Sequence, residues 1–185
     1  MSNAPRMSPA AAPFPSEVQA ALDRTMPPGV APLTLFTTLA RDPRLFKKFF
    51  GGGLLDKGNL SMRQREIVIH RVTAQSGGRY EFCVHVAFFA GRVGLDDADV
   101  RALAYGPSDD PRWPAEERTL LALCDSLHAT CDVDDGLWSA LRTHFSEEAV
   151  LELIMLAGFY RTTSTLVTAL RLAPEPFAPP YPEPL

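Results

Sequence analysis

A chain of 185 residues with 46% apolar side chains can bury one sizeable core, which excludes a disordered protein and fits a single domain. The net charge is only −4 and the eighteen Lys and Arg are scattered among acids, so no basic stripe is offered to nucleic acid or to an anionic membrane surface. Three cysteines without CxxC spacing argue against a disulfide framework and against a thioredoxin-like centre.

The N-terminal stretch MSNAPRMSPAAAPFPSE places prolines where a signal peptide needs a continuous apolar run, so the expected location is cytoplasmic. Residues 1–15 read as a flexible arm. Apolar residues then recur with helical spacing and strand signals are nearly absent, which predicts an all-α domain over residues 16–172. Ser16 is positioned to cap EVQAALDR, and further helices are expected around 32–40 and 43–50 before the glycines at 51–53 stop the chain. Ser61 precedes MRQREIVIHRVTAQ and is expected to cap a long helix ending at Gly77 and Gly78. The next helix carries EFCVH, ends near Gly94 and folds back on the first as an antiparallel hairpin.

Asp96 opens a helix through Tyr105, and Pro114 suits the first turn of AEERTLLALCDSLHA. Asp134 or Asp135 opens GLWSALRTHF, and Ser146 with Glu147 and Glu148 suits the start of a final helix running to about Leu172. The apolar stretch 150–160 within it is shorter than the ~20 residues of a membrane span and reads as a core helix. The closing residues 173–185 are too rich in proline for helix or central strand and read as an arm, docked on a neighbour or loose. Cys124 and Cys131 would lie roughly 10 Å apart along one helix, beyond the ~7 Å Cα limit for a bridge. All three cysteines are expected to be buried thiols.

Glu81 and His85 stand four residues apart among Phe82, Val84, Val86 and Phe88, which belong in an interior. On a helix they lie about 40° apart on one face, and Cys83 points away from them. Glu66 and His70 repeat the spacing on the preceding helix, so the two pairs are able to face each other. Three readings stay open on these residues: ordinary helix-surface pairs, ligands of a divalent metal, or an acid/base site in a pocket. The Glu-x-x-His spacing of di-iron bundles is not present, and no metal is expected.

The stretch LSMRQREIVIHRVTAQSGGRYEFCVHVAFFAGRVGLDDADVRAL, with support from WPAEERTLLALCDSLHATCDVDDGLWSALRTHF and LIMLAGFYRTTSTLVTAL, resembles the carboxymuconolactone decarboxylase and AhpD-like proteins. The resemblance covers roughly residues 30–172 and implies an AhpD-like helical bundle with Pro-rich extensions at both ends. In the AhpD-like branch a glutamate precedes a CxxC and then a histidine that relays protons with the thiols. Glu66 and His85 match that glutamate and histidine, but Gly78 and Glu81 stand where the cysteines would be. Thiol exchange needs one sulfur to attack and a second to resolve.

The decarboxylase branch carries a carboxylate four residues before the histidine, as in Glu81 to His85. The resemblance therefore implies a carboxy-lyase acting by acid/base chemistry on a small lactone or carboxylic acid, with no cofactor, in the breakdown of aromatic compounds. Glu66, Glu81 and His85 are the expected catalytic residues, and His70, Tyr80 and Arg161 the expected substrate-binding residues. Arg161, just beyond an apolar run, is suited to bind a substrate carboxylate or to pair with Glu152. His70 stands where relatives usually carry an aliphatic residue, and His128 reads as a structural helix residue. The family also implies a homo-oligomer, trimer or hexamer. The rival readings are a non-catalytic helical module that binds a small apolar ligand and a divergent AhpD-like peroxidase.

Overall fold

The computed structural model describes residues 4–54 and 56–184. The first three residues of the expected N-terminal arm and the last of the C-terminal arm lie outside the described residues. Among those described there are helices and no strand: α1 (Ser16–Thr25), α2 (Thr34–Leu39), α3 (Pro43–Gly51), α4 (Met62–Gln75), α5 (Arg79–Phe89), a 3-10 turn (Ala90–Val93), α6 (Asp97–Tyr105), α7 (Ala115–Thr130), α8 (Asp135–His144) and α9 (Glu147–Ala169). The expected all-α architecture is found.

The N-terminal caps follow the side chains that offer an oxygen to the free N–H groups of a first turn. Ser61 and Gln64 form a reciprocal capping box at α4, Asp96 and Asp99 another at α6, and Asp42, Asp134 and Ser146 cap α3, α8 and α9. Ser16 does not cap; it is the first residue of α1, preceded by Pro15 with no side-chain cap bond. Pro114 likewise sits one position before α7 instead of inside its first turn. Gly94, at φ 69°, does end the segment carrying EFCVH, but the α-helix itself stops at Phe89 and the last turn tightens to 3-10. The final helix stops at Ala169, with Arg171 in the left-handed region at φ 53° and Leu172 folded back into the core.

Helix α4 is the axis of the molecule. It packs against α5, α6, α7 and α9, and eight consecutive residues, Glu66 through Thr73, are buried. Such a helix has no solvent face on which to leave its polar groups, so Glu66, His70 and Arg71 must find partners inside. Arg71 does so with a two-pronged bond to Asp125 of α7 (2.7 and 3.0 Å). The hairpin of α4 and α5 leans on α9 so closely at its turn that a Cβ at Gly78 would fall 2.3 Å from Ser164 Oγ and 3.0 Å from Ser164 Cα.

By length and composition α9 would suffice to cross a membrane, a wider result than the short apolar stretch read from its middle. Its inner face, including Val150, Leu153, Leu156 and Tyr160, is part of the main core.

Both arms lie on the body of the chain. Arg6 N–H donates to Leu170 O and Ala10 N–H to Thr37 O, each at 2.9 Å. At the other end Glu175 is buried, accepting from the Thr34 N–H (2.6 Å) and from the Tyr80 hydroxyl. Phe177 stacks on Phe88 and Tyr181 on Phe82, with the Arg79 guanidinium over the Tyr181 ring. Cys83 and Cys124 are buried as expected, whereas Cys131 is exposed because it follows α7 as its left-handed cap (φ 58°).

Candidate active site

The register of the α4/α5 hairpin brings Glu66 and His85 together. The His85 Nδ1–H donates to Glu66 Oε2 at 2.7 Å, while Nε2 lies 3.4 Å from Glu81 Oε1 one turn back on α5. All three are at most 6% exposed. The imidazole is thus held between two carboxylates, with Tyr160 of α9 edge-on to it at 5.1 Å and Phe89 at 5.2 Å. Burial by itself would lower the His85 pKa, but the charge and hydrogen bond of Glu66, reinforced by Glu81, more than offset it and raise the pKa to about 9. At neutral pH His85 is an imidazolium.

His70 lies on the other side of Glu66 and behaves oppositely. Its Nδ1 is 2.7 Å from the Glu66 carbonyl, which makes it the donor of a neutral ring, and its Nε2 is buried without a hydrogen-bond partner. Burial, then the charge of His85 at a ring separation of 6.2 Å, lowers its pKa to about 4. His70 supports the site from behind and does not line the cavity.

Glu81, His85 and Tyr160 form the buried end of a cavity of about 530 Å³. Its walls are aromatic: Phe36, Phe49, Phe50, Phe88, Phe89 and Phe159 all contribute. Arg65, Arg24 and Arg92 also line it, the last two exposed, and Glu81 is the one acid among the lining residues. Arg65 Nε stands 3.7 Å from Glu66 Oε1. Two carboxylate oxygens at this end, Glu66 Oε1 and Glu81 Oε2, are buried without a hydrogen-bond partner. Volume, aromatic walls and a few converging polar groups are the ordinary features of a small-molecule site.

Of the expected substrate-binding residues, Tyr80 and Arg161 lie elsewhere. Tyr80 turns to the C-terminal arm, where burial and its bond to Glu175 push the phenol well above its ordinary pKa. Arg161 lines a separate cavity of about 230 Å³ with His128, Cys124 and Cys131, its Nη1 3.8 Å from Cys131 Sγ. Glu152 is engaged by Asn59 and not by Arg161. Tyr160, Arg65 and Arg92 were not singled out from the sequence as site residues. Tyr160 immediately precedes Arg161 in GFYR, and one residue along a helix is a turn of 100°, enough to exchange one cavity for the other.

No cysteine lines the aromatic cavity. Cys83 is buried on the other side of α5, and burial raises its thiol to about 11; burial likewise raises Cys124 to about 12. Gly78, at the place of the first cysteine of the AhpD-like pattern, is where packing against Ser164 leaves no room for a side chain.

No protein-family model matches this sequence, and no curated protein matches it. Solved structures do match in shape. An uncharacterized peroxidase-related protein from Silicibacter sp. TM1040 superposes with a TM-score of 0.80 at 18% identity, covering 92% of this chain and 93% of that one. An alkylhydroperoxidase AhpD core protein from Ralstonia eutropha JMP134, also described as peroxidase-related, gives 0.79 at 19% identity, covering 94% and 95%. The debrominase Bmp8, in a cysteine-to-alanine variant complexed with 2,3,4-tribromopyrrole, gives 0.74 at 18% identity over 92% of both chains. Identities this low speak to architecture, and the chain has the AhpD-like helical fold over nearly its whole length.

Proposed function

We propose that the protein is a small-molecule enzyme that works by acid/base chemistry, a decarboxylation or related lyase reaction on a small lactone or carboxylic acid. The observation that carries this reading is the His85 imidazolium, held between Glu66 and Glu81 at the closed end of an aromatic cavity. Decarboxylation needs a proton delivered to carbon and stabilisation of the negative charge that develops before it arrives. A buried imidazolium with a raised pKa offers both. Glu66 keeps the ring charged and fixes its tilt, Nε2, in a longer 3.4 Å ion-pair contact with Glu81, is the nitrogen that delivers the proton, and Arg65, Arg92 and Arg24 supply cations for a substrate carboxylate. The Tyr160 hydroxyl, kept protonated by burial and by the charges of Glu81 and Glu66, is a second donor in the same wall.

The peroxidase reading requires a thiol pair at the histidine. The absence of cysteine from the cavity lining and the packing of Gly78 on Ser164 both favour acid/base chemistry over it. The test is a panel of lactones and β-keto acids assayed with the wild type, His85→Gln and a variant lacking all three cysteines. Turnover lost in His85→Gln by about 10²-fold or more, and kept in the cysteine-free protein, is the expected result. Binding without turnover would leave the non-catalytic ligand-binding module, and turnover that needs a cysteine would overturn the acid/base reading. If the protonated ring is the acid, kcat/KM is level near neutrality and falls as pH rises through about 9.

A further inference from the structure

The three N-terminal helices make a small core of their own. Val18 and Leu22 of α1, Ala40 after α2 and Phe46 of α3 are buried on one another, with Phe14, Phe36 and Phe50 around them. Among the described residues, no side chain of α4–α9 belongs to that cluster. Helix to helix, α1 and α2 pack on α3, whereas α4 is enclosed by α5, α6, α7 and α9. The aromatic cavity lies along the seam between these two bodies. Arg24, Met26, Phe36, Phe49 and Phe50 wall it on one side, and Glu81, His85, Phe88, Phe159 and Tyr160 on the other. A space of about 530 Å³ stands where a filled interface would have side chains in contact, so α1 and α3 forfeit dispersion attraction of the kind that holds α6 and α7 to α4.

Two contacts across the seam differ in kind. At the start of α2, Leu33 and Leu35 are buried with Tyr80, Val84 and Val167. There the Tyr80 hydroxyl accepts from the Leu35 N–H (3.2 Å) and Glu175 from the Thr34 N–H (2.6 Å), which makes a fixed point. At the end of α3, the half-buried Phe49 ring lies 4.9 Å from that of Phe159, and a Cβ at Gly52 would stand 3.4 Å from the same ring. This second contact is apolar and rests on one ring. The chain on either side is able to bend, with Gly29 at φ 80° between α1 and α2 and Gly51, Gly52 and Gly53 where α3 ends.

We propose that α1 and α3 form a lid on the aromatic cavity. They swing together about the docked start of α2, parting Phe49 from Phe159 to admit a ligand, and settle back over it. With the lid down, His85 is 3% and Tyr160 2% exposed; opening uncovers the acid/base groups and closing keeps water from them. This is access to the site described above and rests, for its purpose, on that cavity being the functional one.

The experiment measures distances between pairs of spin labels by pulsed electron resonance. The chain is full length with Cys131→Ser, and labelled protein is diluted with unlabelled so that only pairs within one chain are read. Lys47→Cys with Ala98→Cys spans lid and body, Ala20→Cys with Lys47→Cys lies within the lid, and Ala98→Cys with Ala129→Cys lies within the body; all four positions are exposed. The lid-to-body pair is expected to show a second, longer distance, and the other two a single one. Phe49→Ala, which removes the ring contact and touches no catalytic residue, should raise the population of the longer distance by about threefold or more. One unchanged distance for the lid-to-body pair in both proteins would overturn the inference, and so would a split within the lid pair, which would mean that α1 and α3 separate. The distances are read on the free protein. A lid that moves in a chain without turnover would sink the acid/base reading alone, and turnover by a chain with a single lid-to-body distance would sink the lid alone.

Discussion

Two buried imidazoles 6.2 Å apart are driven in opposite directions by their partners. His85 gains a carboxylate on each nitrogen and rises to about 9; His70 has a carbonyl on one nitrogen, nothing on the other, and falls to about 4. Between about pH 4 and the ordinary 6.5 the unfolded chain binds a proton at His70 that the native protein refuses, so this group makes stability rise with pH. Between 6.5 and about 9 the native protein holds a proton on His85 that the unfolded chain sheds, so stability falls. The two histidines together predict a maximum of stability near pH 6.5. Melting temperatures across pH should show the alkaline decline flatten in His85→Gln and the acid decline flatten in His70→Leu; parallel curves in all three proteins would refute the assignment. The cysteines make a second residue-scale prediction. Cys131 is exposed while burial raises the other two thiols, so a maleimide should label one cysteine per native chain, at Cys131, and all three only on unfolding. The meeting of Glu66, Glu81 and His85 was legible because two i, i+4 pairs on one hairpin have few ways to avoid each other. Tyr80 and Arg161 were not placed from sequence, since each neighbours a cavity residue along its helix and the neighbour of a residue faces another way.

At the scale of the element, helix starts were legible wherever a side chain supplies the missing acceptor, as at Ser61, Asp96 and Ser146. Helix ends were less so, because the tightening of Ala90–Val93 into a 3-10 turn and the left-handed Arg171 are set by packing and carry no residue signature. The C-terminal arm shows the same limit. Its prolines exclude helix, but docking is made by Glu175, Phe177 and Tyr181, whose partners lie about ninety positions away in the chain, as with the Tyr80–Glu175 separation of 95. Breaking that anchor should be felt. Tyr80→Phe leaves Glu175 with the Thr34 N–H alone, and a buried hydrogen bond to a charged group lost in this way costs about 1–3 kcal/mol. Denaturant unfolding should show that loss for Tyr80→Phe and for Glu175→Gln, with the double variant costing less than the sum; additive losses would mean that the two residues act separately. At the hairpin turn, Gly78→Ala forces a Cβ against the Ser164 side chain and backbone. It should destabilise by about 1–3 kcal/mol, with partial relief from Ser164→Gly.

For the whole molecule, α4 lies at the centre, α5 and α9 close the aromatic cavity against it, and both arms fold back over the same body. Among the described residues, the two most exposed large apolar side chains lie on the outer side of α9. Leu151 and Met155, one turn apart, are 62% and 55% exposed on a helix whose opposite face is core. Single exposed apolar residues are ordinary, but two large ones in register on the longest helix form a stripe that a flat apolar contact would cover. We propose that this stripe is where copies of the chain associate, in line with the trimer or hexamer that the family resemblance implies. A small negative charge of −4 gives little long-range repulsion to oppose it. Sedimentation at micromolar concentration should then give a mass that is a multiple of 20.3 kDa. Leu151→Glu with Met155→Glu, which places carboxylates on the stripe and touches no buried residue, should shift the protein toward monomer by about tenfold or more in dissociation constant, with unfolding stability at dilute concentration unchanged. A wild type that sediments as a monomer, or an assembly indifferent to both glutamates, would remove the outer face of α9 from consideration as the interface.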